Sequence, residues 1–119
     1  MREEMSDRFL EWAAEIIKLS NLLNTTYEGR HIFGQLFRSG SSCGANYAES
    51  HAAQSTKDFI HKRELVLKEL RESLFWLKLI IKACLIEESN ALMIGLKKEN
   101  EELIKIISKS ISTTKQKLK

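Results

Sequence analysis

The side chains that most often carry catalysis are few in this chain. Its histidines are His31, His51 and His61, and its cysteines are Cys43 and Cys84. They form neither a His-Glu-x-x-His motif nor a cysteine pair at the spacing of a zinc site. A buried, unreactive thiol is the common state of cysteines that lie on or beside apolar stripes. The sequence therefore predicts no metal site and no other cofactor.

Two other patterns that support chemistry also fail on spacing. Ser42, Glu49 and His51 suggest an acid–base arrangement, but helical residues two positions apart do not face each other. The run 40–44 contains two glycines and lacks the Gly-Lys-Ser/Thr ending of a phosphate-binding loop. We therefore expect a protein that is not an enzyme and that acts by binding or assembly.

Basic side chains form a more informative pattern. Five fall on one flank of the helix predicted over 56–85, where Glu64 is the only acid among them. Two more lie on the preceding predicted helix, and residues 105–119 add five lysines and no acid. The candidates for contact with nucleic acid are Lys57, Lys68, Arg71, Lys78, Lys82, Arg30 and Arg38. The alternative is a solvated face with a solubilising tail, because the net charge is only +3.

The elements that position these residues are predicted to be helices. The chain has 119 residues and no proline, and 43% of its residues are hydrophobic, which suits one domain with its own core. Apolar residues recur at helical spacing in four segments, about 6–24, 28–53, 56–85 and 89–113, joined by short polar turns. These connections predict an all-α, antiparallel up-down four-helix bundle in a single domain, 1–119. Beyond residue 111 the polar, lysine-rich tail is expected to fray.

The apolar spacing also predicts which residues are buried. In the second helix the predicted buried stripe is Phe33, Leu36, Phe37, Gly40, Gly44, Tyr47 and Ala48. Gly40 and Gly44 each cost about 1 kcal/mol relative to alanine in a helix, so their place on this stripe predicts a closely packed neighbouring helix, with a helix break near 39–44 as the alternative. In the third helix the predicted stripe is Phe59, Val66, Leu70, Leu74, Leu77, Ile81 and Cys84. Ser6 is placed to cap the first helix, and Ser55 or Thr56 the third.

Two further stripes exceed what one bundle needs. The third helix carries a second apolar stripe of Leu65, Trp76, Leu79, Ile80 and Ala83, with Glu69 and Glu72 interleaved. The second helix carries a polar line of Gln35, Arg38, Ser42, Asn46 and Glu49. These stripes predict an interface in a homo-oligomer, and the alternatives are a helix buried on two sides of its own bundle and a solvated polar face. The interface candidates are Gln35, Ser42, Asn46, Glu49, Leu65, Glu69, Glu72, Trp76 and Leu79.

The sequence gives no sign of a membrane segment or an export signal. Its longest apolar run, 91–96, is far shorter than the roughly twenty residues that a membrane span requires. The start of the chain carries Glu3 and Glu4 where a secretory signal would be basic and then apolar. With two lone cysteines, a cytoplasmic location and no membrane partner are expected.

Four motifs resemble those of a known family when they are taken in order. They are Gln35-Leu36-Phe37-Arg38-Ser39, Ser42-x-x-x-Asn46-Tyr47-Ala48-Glu49, Ser55-x-Lys57-Asp58-Phe59-Ile60-His61-Lys62 and Lys68-Glu69-Leu70-Arg71-Glu72-Ser73-Leu74-Phe75-Trp76-Leu77. This string resembles the 23S rRNA intervening-sequence proteins over about residues 9–111. The chain departs from the family pattern before the second helix, where Phe-Pro is frequent, and at Ser50, where glycine is frequent.

The resemblance implies a left-handed four-helix bundle that assembles as a ring of five protomers. A related protein, the accessory protein of diversity-generating retroelements, implies RNA or DNA and a reverse transcriptase as partners. No helix-turn-helix, zinc finger or aromatic stacking platform is evident, so base-specific recognition is not predicted. We therefore expect a non-enzymatic homopentamer that contacts nucleic-acid backbone through basic residues, and the alternative is a pentamer that serves protein partners only.

Overall fold

The computed structural model describes residues 2–118, and the regular structure in this range is entirely helical. Helix α1 spans Arg2–Ile17, α2 is a single turn at Ser20–Leu23, α3 spans Tyr27–Ser50, α4 spans Thr56–Lys82 and α5 spans Ala91–Lys117. The predicted all-α fold with four long helices is confirmed. The ends of the predicted domain, Met1 and Lys119, lie outside the described residues.

The helix starts follow from side-chain caps. The Thr26 hydroxyl accepts a hydrogen bond from the Gly29 N–H at the start of α3, and the Asn90 side chain accepts one from Met93 at the start of α5. At the start of α4, Ser55 rather than Thr56 is the cap, and it accepts from the Asp58 N–H at 3.1 Å. Each cap satisfies a backbone donor that has no partner inside its own helix.

Three predicted helix ends are wrong. Ser6 is not a cap, because α1 already begins at Arg2. The polar tail does not fray after residue 111, since α5 continues to Lys117 without a glycine or proline to end it. Helix α4 stops at Lys82, because Cys84 adopts a left-handed backbone conformation with φ of 60°.

The core lies between the four long helices, and it differs in part from the predicted stripes. Val66, Leu70 and Leu77 are fully buried as predicted. Ile80 was predicted to belong to the second apolar stripe of α4. This prediction is wrong, because Ile80 is fully buried in the chain's own core. Phe37, Ala48 and Cys84 are exposed, and Phe33, Phe59, Leu74 and Ile81 are partly buried. Several buried positions that the apolar spacing did not predict are occupied by polar residues. These residues are Ser39, Ser50, Arg63, Ser73 and Asn100.

Four of the buried polar residues, Arg63, Ser50, Ser39 and Ser73, form hydrogen bonds across helices. Arg63 of α4 is 6% exposed, and its guanidinium donates to the hydroxyl of Ser50 on α3 at 2.8 Å and to that of Ser110 on α5. The same guanidinium lies 4.6 Å from the ring centre of Tyr47 and 4.3 Å from that of Phe59. Burial lowers the pKa of Arg63 from its ordinary value. A second buried pair, Ser39 with Ser73, joins α3 to α4 at 2.7 Å.

Helix α1 packs closely on α3 through the two glycines that the sequence marked. Helix α3 is continuous through Gly40 and Gly44, as predicted. A Cβ atom at Gly40 would lie 2.5 Å from Cδ1 of Ile16, and one at Gly44 would lie 3.2 Å from Cβ of Phe9. The prediction of a closely packed helix at these positions is confirmed. On its other side α1 meets α5, where the Trp12 indole donates to the Leu96 carbonyl at 3.1 Å.

None of the helices within residues 2–118 is long and apolar enough to cross a bilayer.

Two glycines of α3 predict opposite responses to alanine. A Cβ atom at Gly29 would overlap the backbone carbonyl of Leu23, whereas one at Gly34 would meet nothing within 4 Å. Gly34→Ala should therefore raise the free energy of unfolding by about 1 kcal/mol through helix propensity. Gly29→Ala should lower it, because backbone must move to relieve the overlap. Urea unfolding followed by circular dichroism measures both, and a stabilised Gly29→Ala variant would contradict the packing of α2 against α3.

Candidate nucleic-acid interface

One face of α4 collects basic side chains and turns away from the core. We call the set Lys57, Lys68, Arg71, Lys78 and Lys82 the basic face. All of its members are exposed, because their spacing returns each to the side of the helix opposite the core. Lys68 and Arg71 lie on adjacent turns, as do Lys78 and Lys82, and the two pairs are separated by two turns. Lys57 lies three turns before Lys68, near the helix start.

Glu64, the acidic residue on the same flank of α4 as the basic face, is partly neutralised by a lysine of α5. Glu64 is exposed, and its carboxylate is 3.2 Å from the ammonium of Lys115 on α5. The predicted lysine-rich tail thus packs as the last turns of α5 and partly neutralises this carboxylate. Exposed basic side chains therefore outnumber acidic ones on this flank of α4.

A groove beside the basic face extends the positive surface to α5. It has a volume of about 590 Å³ and lies between the end of α4 and the start of α5. Four lysines and two glutamates line it, namely Lys78, Lys82, Lys97, Lys98, Glu88 and Glu101. Lys97 and Lys98 were not among the candidates from sequence, because their helix also carries Glu99, Glu101 and Glu102 nearby. Only the packing of α5 on α4 places these two lysines next to the basic face.

The depression on the far side of α5 has the opposite character. It lies between α1 and α5, has a volume of about 360 Å³, and is lined by Glu11, Glu15 and Glu99. The arginine there, Arg8, donates to both carboxylate oxygens of Glu99 at 3.0 and 2.6 Å. Three acidic side chains and one basic side chain line this depression, whereas four lysines and two glutamates line the groove on the other side of α5.

The two arginine candidates on α3 do not join the basic face. Arg30 is exposed near the start of α3. Arg38 reaches across to α4 and bonds the carboxylates of Glu69, at 3.3 Å, and Glu72. The Arg38 guanidinium thus pairs with two carboxylates of its own chain. The hydrogen bond to Glu72 raises the pKa of Arg38.

The oligomer-interface candidates lie along the junction of α3 and α4, which we call the seam. On α3 the seam consists of Gln35, Arg38, Ser42, Asn46 and Glu49, and on α4 of Leu65, Glu69, Glu72, Trp76 and Leu79. Three contacts across the two helices define it: Arg38 with the two glutamates, Glu49 with Lys62 at 3.5 Å, and the ring of His31 with that of Trp76 at 6.3 Å between centres. The structure therefore places the polar line beside Glu69 and Glu72, whereas Ile80 of the second apolar stripe lies in the core. Part of the polar line finds its partners within the chain.

Within the seam, the Trp76 side chain is held in place by a hydrogen bond. Its indole N–H donates to the Glu72 carboxylate at 3.1 Å, one turn earlier on α4. This hydrogen bond, followed by the Arg38 bond, lowers the pKa of Glu72 below its ordinary value. Trp76, Leu65 and Leu79 remain only partly buried, so apolar area stays accessible beside the charged network.

The cysteines and histidines do not converge. No group of three or more His, Cys, Asp and Glu side chains among residues 2–118 is arranged to hold a metal ion. Cys43 is buried, its thiol donates to the Ser39 carbonyl, and burial raises its pKa, so the thiol stays protonated. Cys84 is exposed beyond the end of α4.

The helical architecture, with an exposed basic face on α4 and a seam between α3 and α4, defines a small helical-bundle protein. The model of the 23S rRNA-intervening sequence protein family matches residues 4–109, and the chain belongs to that family. It is similar in structure to a protein of unknown function from the S23 ribosomal protein family of Bacteroides thetaiotaomicron VPI-5482. The two share 33% sequence identity and a TM-score of 0.80, over 89% of this chain and 96% of that one. No curated protein matches the chain in sequence.

The Glu72 network predicts a pH-dependent contribution to stability. Because the folded-state pKa of Glu72 lies below its ordinary value of 4.5, the unfolded chain binds more protons here, and stability rises with pH. Wild type should therefore exceed Glu72→Gln in free energy of unfolding at neutral pH. This advantage should disappear as the pH falls below about 4.5 and through the lowered folded-state pKa. Urea titrations at a series of pH values measure the difference.

The exposed Glu87, in the connection between α4 and α5, supplies the control. Glu87→Gln removes one carboxylate from the chain without touching the seam, and it should change stability little. An advantage of wild type over Glu72→Gln that persists unchanged at acid pH would contradict the role assigned to the carboxylate.

Proposed function

We propose that this protein is a non-enzymatic homopentamer that binds the backbone of RNA or DNA through the basic face. The observation that carries the proposal is the row Lys68, Arg71, Lys78 and Lys82, all exposed along one face of a single helix. Phosphate contacts by such side chains supply sequence-independent affinity. The proposal extends the surface to Lys97 and Lys98 across the groove.

Assembly makes a modest charge effective. A single chain carries +3, which is little for a nucleic-acid binder of 119 residues. Five copies around an axis present five basic faces to one strand, and linked sites raise avidity without any new contact. We propose that the bundles are antiparallel and left-handed, and that protomers meet through the seam, where Leu65, Trp76 and Leu79 are only partly buried. Burial of this apolar area against a neighbour would stabilise the ring.

A basic ring of this kind suits an accessory role. A reverse transcriptase holds a nucleic-acid template, and a partner that binds phosphate without reading bases would retain that template near the enzyme. We include such a partnership in the proposal because the accessory protein of diversity-generating retroelements is related to the family that the motifs of this chain resemble. The half-buried aromatic seam supports assembly independently of any nucleic acid, so a pentamer that serves only protein partners is the second candidate.

Binding should weaken steeply with salt and should depend on Lys78. For wild type, the logarithm of the association constant for a labelled RNA should fall linearly with the logarithm of salt concentration. Lys78→Glu should weaken binding to every sequence and reduce the slope by about 1 for each protomer in contact with the strand. Fluorescence anisotropy titrations at several salt concentrations measure both quantities.

Lys18→Glu is the matched control, since it makes the same change of charge directly after the end of α1. The Lys18 side chain is 63% exposed and pairs with Glu15, away from the basic face. The Lys18→Glu variant should bind RNA with an affinity close to that of wild type. Equal losses in both variants would mean that net charge alone drives binding. No binding to RNA or DNA at low salt would reject the nucleic-acid function and favour the second candidate.

The proposed oligomeric state is tested by measuring the molar mass of the protein in solution. Light scattering should give a mass near five times 13.7 kDa. Trp76→Lys removes the apolar side chain from the seam and places an ammonium one turn after Glu72, where it can pair. This variant should dissociate the ring while its helical circular dichroism signal remains.

Leu10→Lys introduces the same residue at a 71% exposed leucine on α1, outside the seam, and should leave the mass unchanged. A wild-type protein that remains a monomer at micromolar concentration would reject both the pentamer and the interface at the seam. A Trp76→Lys variant that keeps the wild-type mass would place the interface elsewhere.

A further inference from the structure

The middle of the basic face carries an exposed aromatic ring. Phe75 is 57% exposed and lies four residues after Arg71 and three residues before Lys78. At 1.5 Å per residue, the stretch from Lys68 to Lys82 is about 21 Å long, and Phe75 is at its centre. The sequence showed no aromatic stacking platform, because one phenylalanine among apolar neighbours is expected in a core. The structure instead leaves this ring outside the core, between cations.

The ring is supported from one side. The Phe75 and Trp76 ring centres are 5.0 Å apart, and their planes make an angle of 75°. Such an edge-to-face contact occupies at most one face of the Phe75 ring. Trp76 in turn is held by its hydrogen bond to Glu72, which Arg38 also bonds. Phe75 is thus positioned by the seam while one of its faces stays available.

A shallow depression lies next to this ring. Its volume is about 270 Å³, and it is lined by Phe75, Lys78, Leu79 and Lys82. Its surface is apolar, and two of the four residues that line it are lysines, which are exposed and carry ammonium groups at the ends of their side chains. This combination suits a flat, apolar group that is linked to a phosphate, which is the chemical description of a nucleotide in an unpaired strand.

We propose that the preferred ligand of the basic face is single-stranded nucleic acid, with one base stacked on Phe75 and the flanking phosphates held by Arg71, Lys78 and Lys82. The inference rests on the proposed function and narrows it to one class of strand. In a duplex, the faces of the bases are covered by their neighbours, so only phosphates would meet this surface. Stacking on an aromatic side chain tolerates every base, since each has a π-face.

The test compares two variants on two forms of one RNA. A short unstructured RNA strand and the same strand annealed to its complement are titrated by fluorescence anisotropy. Phe75→Leu keeps an apolar side chain but loses the stacking face, and it should weaken single-strand binding about ten-fold. Duplex binding and the salt slope should remain as in wild type. Phe75→Tyr keeps the ring and should retain wild-type affinity for both forms.

The outcomes separate this inference from the proposed function. Single-strand affinity that is unchanged in Phe75→Leu, or lost equally in Phe75→Tyr, overturns the stacking assignment. If Lys78→Glu still weakens binding in that case, the proposed function stands without the single-strand preference. Equal wild-type affinity for strand and duplex also overturns the inference. Absence of binding to either form at low salt overturns the proposed function itself.

Discussion

The buried guanidinium of Arg63 is the constraint on which the arrangement of α4 depends. A charge removed from water must be compensated, and here neutral groups do so, with hydroxyls from α3 and α5 as acceptors and two aromatic rings in contact with the guanidinium. Ser50 and Tyr47 belong to α3 and Ser110 to α5, so a rotation or slide of α4 would leave the charge with only Phe59 of its own helix. The rotation that satisfies Arg63 also fixes which residues of α4 face outward. The basic face is thus positioned from within the core.

Helix α4 then has three sides with distinct environments. One side enters the core through residues such as Leu70, the second meets α3 along the seam, and the third is the basic face. The period of the helix separates these sides, and Leu79 lies at the border, since it belongs to the seam and also lines the depression beside Phe75. Trp76 and Phe75 are adjacent in the chain but belong to different sides, and their ring contact connects the two surfaces.

Much of this organisation was predictable from spacing alone, and the failures share one cause. The helices, the close approach at Gly40 and the basic face follow from local periodicity, which a sequence displays directly. Ile80 and Phe37 were misplaced because core positions of α3 and α4 are held by Ser39, Ser73 and Arg63. Polar residues become good core residues only when a distant helix brings a partner, as Ser110 does for Arg63. Lys97 and Lys98 escaped prediction for the same reason, since the groove that includes them forms only when α5 packs on α4.

The two cysteines differ in a way that has a practical consequence. The Cys84 thiol is open to solvent, at a left-handed residue that ends α4, whereas the Cys43 thiol is enclosed between helices and stays protonated. A thiol-reactive reagent should therefore modify one site in the folded chain and two in the unfolded chain, since thiolate and access both govern the rate. The number of modified thiols per chain therefore measures the fraction of the protein that is folded. A probe attached at Cys84 would lie just beyond the end of α4, and no residue of the basic face has to be replaced to attach it.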